Sequence, residues 1–366
     1  MGFVPSEERK KMEIEEFKKM LQAACAGLSR RKDEEEDLNG LMLGVSLSEM
    51  DDLREKLVCV TSGVSFLGLA VVHRLLSRGY SVRIVVDNEE DMEKLRELES
   101  SEEIMRSGNR SIKAVPAKVA EVESLMEAFE GCRGVFHTSA FADPAGLSGY
   151  TKSMAEIEVK VSENVIEACS RTPSVRSCVL TSSLLACIWR DGTLQELSPV
   201  VNHNSWSDES ICIDKKLWYA LGKMRAEKAA WTVAKEKGLK LATICPGLIT
   251  GPEFLLRNPT ATIAYLKGAQ EMFAYGLLAT VDVMKLADAH VCVFEAMSKT
   301  ASGRYICFDH VIEMESDAEK LAKEMAMPVN KITGNASNYI PARFRLSNKK
   351  LFTLMSRTLR DCFNQR

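Results

Sequence analysis

The sequence predicts an α/β fold: a doubly wound parallel sheet covered by helices on both faces, with a smaller C-terminal lobe. Three observations carry that prediction. Short apolar runs rich in β-branched residues alternate with helical patterns from Leu57 to Cys245. The turn after the first run contains glycine and opens directly into a helix. The alternation keeps one rhythm through six apolar runs, the pattern of parallel strands joined by helical crossovers.

In order, residues 57–61 read as a strand, 66–78 as a helix and 81–86 as a β-branched strand. Strands follow at 111–116, 134–137 and 175–180, with helices at 122–130 and 155–170 between them. A long helical pattern opens at Tyr219 and runs to Lys237, and residues 240–245 form the sixth strand. Beyond Pro246 the order loosens. Helices near 261–268 and 283–297, a strand at 304–307 and a last helix from Asn348 suggest the smaller lobe. The expected division is a charged helical extension and linker at 1–50, a dinucleotide-binding domain at 51–250, and a mainly substrate-binding lobe at 251–366. In the extension, Ile14, Phe17, Met20 and Leu21 share one helical face, and a charge block runs from Arg30 to Asp37.

Composition sets the bounds. A chain of 366 residues, 46% hydrophobic and 27% charged, is that of an ordinary soluble globular protein with room for a large core or two lobes. A net charge of −3 and a pI near 6.1 give no electrostatic basis for nucleic-acid binding. Eleven cysteines are scattered from Cys25 to Cys362 with no C-x-x-C pair. They read as reduced, mostly buried thiols rather than a disulfide framework or zinc site. No apolar run approaches the ~20 residues of a membrane span. The N-terminus lacks a signal-peptide core and is too acidic for a transit peptide, so a cytoplasmic location is expected.

Tyr219 and Lys223 stand at i and i+4 on one helix face, downstream of Thr181-Ser182-Ser183 at the end of a buried strand. A phenol of pKa near ~10 is a poor acid–base group at neutral pH. A neighbouring lysine, helped by a nicotinamide cation, favours the phenolate and pulls that pKa down. A serine hydroxyl can hold a carbonyl oxygen while the tyrosine protonates it. The competing reading is a solvated helix face with an unrelated tyrosine.

Thr61-Ser62-Gly63-Val64-Ser65-Phe66-Leu67-Gly68 is the strand–turn–helix where a dinucleotide-binding sheet meets the pyrophosphate. Serines stand at two places where glycine is wanted for left-handed torsions, each costing about 1–2 kcal/mol if the torsion is kept. A one-residue shift onto Gly63 is the other way to make the turn. Asp87 ends the second strand, where a carboxylate accepts hydrogen bonds from ribose hydroxyls and repels a 2′-phosphate. That favours NAD over NADP; a plain loop carboxylate in an acidic run is the alternative.

Ordered motifs extend the pattern: Gly134-Val135-Phe136-His137-Thr138, Asn164-Val165-Ile166-Glu167-Ala168-Cys169, Trp218 to Lys223, Pro246-Gly247-Leu248-Ile249-Thr250-Gly251-Pro252 and Gly303-Arg304-Tyr305-Ile306-Cys307. Over about residues 55–355 the chain resembles the cinnamoyl-CoA reductase and dihydroflavonol reductase branch of the extended short-chain dehydrogenases, most closely the cinnamoyl-CoA reductase-like proteins. The resemblance implies a Rossmann-type sheet, NADPH, and a Ser183–Tyr219–Lys223 triad acting on a small carbonyl substrate such as a phenolic CoA thioester. By the same resemblance the Thr61–Gly68 turn, His137, Thr138, Ser139 and Pro246-Gly247-Leu248 border the cofactor, and Lys94 stands where a basic contact often lies. No metal, nucleic acid or membrane is implied. The chain departs from the family at Ser62, Ser65, Asp87 and Lys118, and carries Ala220-Leu221 where the true cinnamoyl-CoA enzymes have Cys-Tyr. Those departures motivate a rival: a non-catalytic relative with an eroded nucleotide loop, acting through its N-terminal extension.

The substrate side is expected near residues 184–189, 206–213 and 254–273. Trp189, Trp206, Met272 and Phe273 read as core side chains, with stacking on a phenolic ring as the alternative. Arg257 and Lys267 read as surface cations, or as contacts for a CoA tail. His203 and His290 read as structural histidines.

Overall fold

The chain enters its sheet at β1 (Leu57–Val60) and turns through a short loop into α1 (Phe66–Ser77). Then come β2 (Ser81–Val86), β3 (Ile112–Pro116), α2 (Val122–Phe129), β4 (Gly134–His137), α3 (Lys152–Arg171) and β5 (Ser177–Thr181). The long helix α4 (Trp218–Lys237) leads into β6 (Lys240–Pro246). A short helix α5 (Pro259–Tyr265), the helix α6 (Val283–Ala296) and β7 (Gly303–Cys307) complete the elements that position the site. The computed structural model describes residues 56–89, 91–93, 95, 112–138, 150–190, 199–334 and 344–364. The expected extension at 1–50, together with Lys94 and Ser139, lies outside the described residues.

All seven strands run parallel, in the order β7-β6-β5-β4-β1-β2-β3. Side chains of successive strand residues point to opposite faces, and both faces are buried. Val58, Val60, Ile84, Phe136 and Val179 join the core beneath α1 and α6. Cys59, Val85, Val135 and Cys178 join the core beneath α2, α3 and α4. Continuous apolar strands are what a sheet covered on both sides requires. The cysteines follow the same logic: Cys59, Cys132, Cys169, Cys178, Cys187, Cys212, Cys245, Cys292 and Cys307 are buried and form no disulfide.

One strand sits elsewhere than its sequence position suggested. The run expected in the smaller lobe, 304–307, is β7, the outer strand of the main sheet, with Tyr305 opposite Ile244 of β6. Its side chains are buried, so it needs covered faces on both sides. Sequence order alone does not tell a strand which edge it joins. The remaining small strands pair among themselves: Ala279–Asp282 between Leu248–Thr250 and His310–Val311, and Arg345–Leu346 with Val200–Val201.

A buried ion pair fixes α4 against this sheet. Glu227 on α4 is fully buried and accepts from Arg304 Nε of β7 at 2.7 Å and from Arg304 Nη2 at 3.1 Å. Ser182 Oγ, just past β5, donates to Glu227 Oε2 at 2.7 Å, and Thr243 Oγ1 of β6 donates to Oε1. The Arg304 guanidinium lies 3.5 Å from the Trp206 ring centroid, stacked on it. Removing one partner of such a pair leaves an uncompensated buried charge. Glu227→Ala is therefore expected to lower stability by about 3–5 kcal/mol in urea denaturation. The double variant Glu227→Leu/Arg304→Met should recover part of that loss.

Candidate active site

The turn between β1 and α1 is built by its serines. Ser65 is the N-cap of α1, with φ −72° and ψ 166°. Its hydroxyl accepts from Gly68 N–H at 3.0 Å and donates to Ser62 O at 2.7 Å. A serine cap of this kind stabilises a helix by about 1 kcal/mol. The left-handed torsions expected at Ser62 or Ser65 do not occur, and Gly63 does not supply one. Non-glycine residues with positive φ among the described residues are Lys216, Glu253 and Ala326. The strain inferred from the missing glycines is thus avoided, because an extended N-cap replaces the glycine turn. Gly68 is needed for a different reason: a Cβ there would lie 1.9 Å from Ser62 O.

The turn opens on a cleft at the C-terminal edge of the sheet. Ser65 and Leu67 wall one end, Thr138 follows from β4, and Thr181 to Ser183 follow from β5. Tyr219 and Lys223 enter from α4, and Pro246, Gly247 and Leu248 from the end of β6. Asn258, Ala261, Thr262 and Tyr265, on and just before α5, close the far side. Ser183, Tyr219 and Lys223, read from the sequence as a triad, therefore share one cavity with the end of the nucleotide turn, at the head of α1. Ser183 Oγ accepts from Leu185 N–H at 3.2 Å, which leaves its own proton free to turn toward the cavity.

Other expected residues stand back from the wall. Thr61, Ser62, Gly63, Phe66 and Gly68 shape the turn without walling the cleft. His137 is buried behind it, bonded to Thr61 Oγ1 at 2.9 Å. Burial, and then the charge of Lys223, push its pKa down to about 3. His290 sits between Thr181 Oγ1 and Leu286 O, both at 2.8 Å, and burial lowers its pKa to about 4. It is a satisfied structural histidine. Asp87 is exposed at the tip of β2 and accepts from Val119 N–H at 3.4 Å.

Two wall residues escaped sequence reasoning: Tyr150 and Glu158. Lys223 Nζ lies 2.6 Å from Glu158 Oε1, and both side chains are buried. The Tyr150 phenol donates to Glu158 Oε2, and its ring meets the Tyr219 ring edge-on at 5.0 Å. Glu158 had a legible signal. It occupies the core stripe of α3 with Val161, Val165 and Cys169, where an apolar residue is the rule. The close approach of α3 and α4 rests on Gly222, where a Cβ would stand 2.9 Å from the Tyr150 oxygen and 3.0 Å from Ala155.

The protein's own groups pull on Tyr219 in both directions. Lys223 does favour the Tyr219 phenolate, from 5.6 Å off its ring centroid. Burial outweighs it and Glu158 adds to burial, so the Tyr219 pKa lies above the ordinary phenol value. Burial also opposes the charge on Lys223, yet Glu158 and Tyr219 together overcome it and hold the ammonium protonated.

On the substrate side, Trp189, Trp206, Met272 and Phe273 belong to the core and do not wall the cleft. Lys267 Nζ bonds Lys216 O at 2.6 Å, and the Arg257 guanidinium lies 5.1 Å from the Phe66 ring centroid, beside the nucleotide turn.

A model of the 3-beta hydroxysteroid dehydrogenase/isomerase family matches residues 59–321. The chain belongs to that family. It is an extended short-chain dehydrogenase/reductase of the cinnamoyl-CoA reductase-like type. Cinnamoyl-CoA reductase 1 of Petunia hybrida is 36% identical over 311 residues, spanning 82% of this chain and 87% of that protein. Tetraketide alpha-pyrone reductase 1 of Arabidopsis thaliana is 33% identical over 293 residues, 77% of this chain and 85% of its own length. Among solved structures, vestitone reductase from alfalfa superposes with a TM-score of 0.57 at 24% identity, covering 81% of this chain and 91% of that one. The yeast reductase Gre2 complexed with NADPH gives 0.59 at 20% identity, covering 82% and 93%. These two likenesses bear on the fold, and the Rossmann-type sheet expected from the sequence is the one observed.

Both buried histidines should stay neutral through the range where a free imidazole titrates. Proton–nitrogen NMR should find no titration of His137 or His290 between about pH 5 and about pH 8. Because unfolding lets both bind protons, their contribution to stability should fall as the pH drops below the unfolded value near ~6.5.

Proposed function

We propose that this reductase family member uses NAD(P)H to reduce the carbonyl of a phenylpropanoid-like thioester, aldehyde or ketone, with Tyr219 as general acid. The observation that carries the reading is the shared cleft. Ser183, Tyr219 and Lys223 line the same cavity as Ser65 and Leu67 at the head of α1. Helix N-termini present N–H groups without intrahelical partners to an anion, which suits a pyrophosphate. Thr138 Oγ1 is buried on that wall with no partner among the described residues, so it is a donor or acceptor in need of one. These residues suit a dinucleotide chemically.

A bound nicotinamide would supply the hydride; the chain's own residues do the rest. Ser183 donates its hydroxyl proton as a hydrogen bond to the carbonyl oxygen and polarises it. Tyr219 delivers a proton to the same oxygen as negative charge develops there. Lys223 then stabilises the phenolate left behind. Thr262, with a buried hydroxyl lacking a partner among the described residues, and the Tyr265 phenol offer polar contacts to a substituent of the substrate. The names of the curated relatives favour a phenolic CoA thioester. Asp87 at the tip of β2 favours NADH, whereas the family resemblance favours NADPH. A cytoplasmic location fits the buried free thiols, and no helix of the described residues is long and apolar enough to cross a membrane.

The rival non-catalytic reading rested on a nucleotide turn spoiled by serine. The unstrained Ser65 cap takes away the torsional part of that motive and leaves the departures at Asp87 and Lys118. Tyr219→Phe should lower turnover by about 10²–10⁴-fold while leaving folding and dinucleotide affinity unchanged. A fully active Phe variant would exclude the assigned role. Titration with NADH and NADPH, read by nicotinamide fluorescence, should show saturable binding of at least one.

A further inference from the structure

Lys223 does not face Tyr219 alone. A carboxylate from a different helix lies 2.6 Å from its ammonium, in a part of the molecule with almost no solvent access. Burying such a pair carries a desolvation penalty that its mutual attraction often only matches, so stability is a poor reason for keeping it. Its position gives a better one. We propose that Glu158 is a positioning residue of this site: by neutralising Lys223 it keeps the Tyr219 phenol protonated, and so biases the site toward delivering protons rather than taking them.

The geometry supplies the argument. An isolated ammonium 5.6 Å from the Tyr219 ring would stabilise the phenolate strongly in a dry cleft. Paired with Glu158, the same ammonium becomes one end of a short dipole whose field at the phenol is much weaker. Tyr150 locks the carboxylate in place by donating to its second oxygen, while its ring packs edge-on against Tyr219. Among the described residues, the polar groups that share this part of the cleft with Tyr219 are Lys223 from α4, Glu158 from α3, Tyr150 from the segment before α3, Tyr265 from α5 and Ser183 after β5. His137, on β4 near Lys223, stays neutral. Lys223 is the sole cation in that set, and Glu158 opposes it. Both tyrosine neighbours are held in their phenol form by burial. The Tyr219 pKa, raised above its ordinary value, agrees with this arrangement.

The consequence is directional. Carbonyl reduction consumes one hydride from a reduced nicotinamide and the Tyr219 proton, and leaves a phenolate that regains its proton from solvent. An aldehyde or ketone becomes an alcohol, and a thioester becomes a hemithioacetal that releases its thiol to leave an aldehyde. Alcohol oxidation runs the same steps backward and needs the phenolate at the outset. A site that holds the phenol favours the first at neutral pH.

The inference rests on the proposed role of Tyr219 as acid, and the test separates the two. The phenolate absorbance of the full-length protein is titrated with alkali, and the Tyr219 signal is isolated by subtracting the Tyr219→Phe variant. The same subtraction is made in a Glu158→Gln background, which keeps the size and hydrogen-bonding reach of the side chain but not its charge. In Glu158→Gln the Tyr219 phenolate should form at least one pH unit lower, a tenfold larger phenolate fraction at a given pH below its midpoint. The alkaline limb of NADPH-dependent carbonyl reduction should move down by the same amount. Glu158→Ala reads the same titration if the amide variant does not fold, as judged by circular dichroism. An unchanged Tyr219 titration in a folded variant overturns the proposal, whatever the activity. A shifted titration in a protein that reduces no carbonyl upholds the role of Glu158 and counts against the catalytic reading instead.

Discussion

The site depends on where α4 lies, and Glu227 decides that. Its carboxylate gathers Arg304 from β7, Thr243 from β6 and Ser182 from the end of β5, so one helix is tied to three strands. Tyr219 is two turns earlier on the same helix, and Ser183 is the neighbour of one of the tied residues. The placement of Tyr219 on the helix relative to Ser183 at the strand exit is thereby held by a buried salt bridge. The groups proposed to react need make no bond to each other.

A second buried carboxylate then sets the chemistry within that frame. The cleft contains an ammonium, a carboxylate and three phenols in close order, and water is excluded from most of them. In such a place charge on one group is felt by all the others. Glu158 and Lys223 cancel at short range, and the phenols remain protonated. Gly222 is the backbone feature that allows this, since any side chain there would push α3 away and take Glu158 with it.

Much of this was legible in the sequence. Continuous apolar runs found the strands, because burial on both sheet faces leaves no alternation, and the period of 3.6 found the helices. The spacing of Tyr219 and Lys223 on one helix face, after a strand ending in Ser183, brought the three into a common cleft as expected. What failed has physical causes. The strand at β7 looked like part of a second lobe because its partner, β6, is separated from it in sequence by α5 and α6. The serines of the nucleotide turn looked like damage because torsions were inferred from residue type, whereas Ser65 adopts the extended form of a helix cap. Tyr219 was expected to be acidified by Lys223 together with a nicotinamide cation; the sequence did not show the burial that opposes Lys223, nor the carboxylate on α3 that adds to burial. Glu158 was visible only as a charge in the apolar stripe of its helix. Its partner, sixty-odd residues away, belongs to tertiary structure.

The central claim is that this cleft moves a hydride to a carbonyl carbon while Tyr219 supplies the proton. The most direct measurement follows the label: NADPH and NADH, deuterated at nicotinamide C4, are incubated with the folded protein and a panel of phenolic aldehydes, ketones and CoA thioesters. The account predicts a product bearing deuterium on the former carbonyl carbon, formed by the native protein and not by Tyr219→Phe. A folded protein that oxidises neither dinucleotide and returns every member of the panel unlabelled would contradict it.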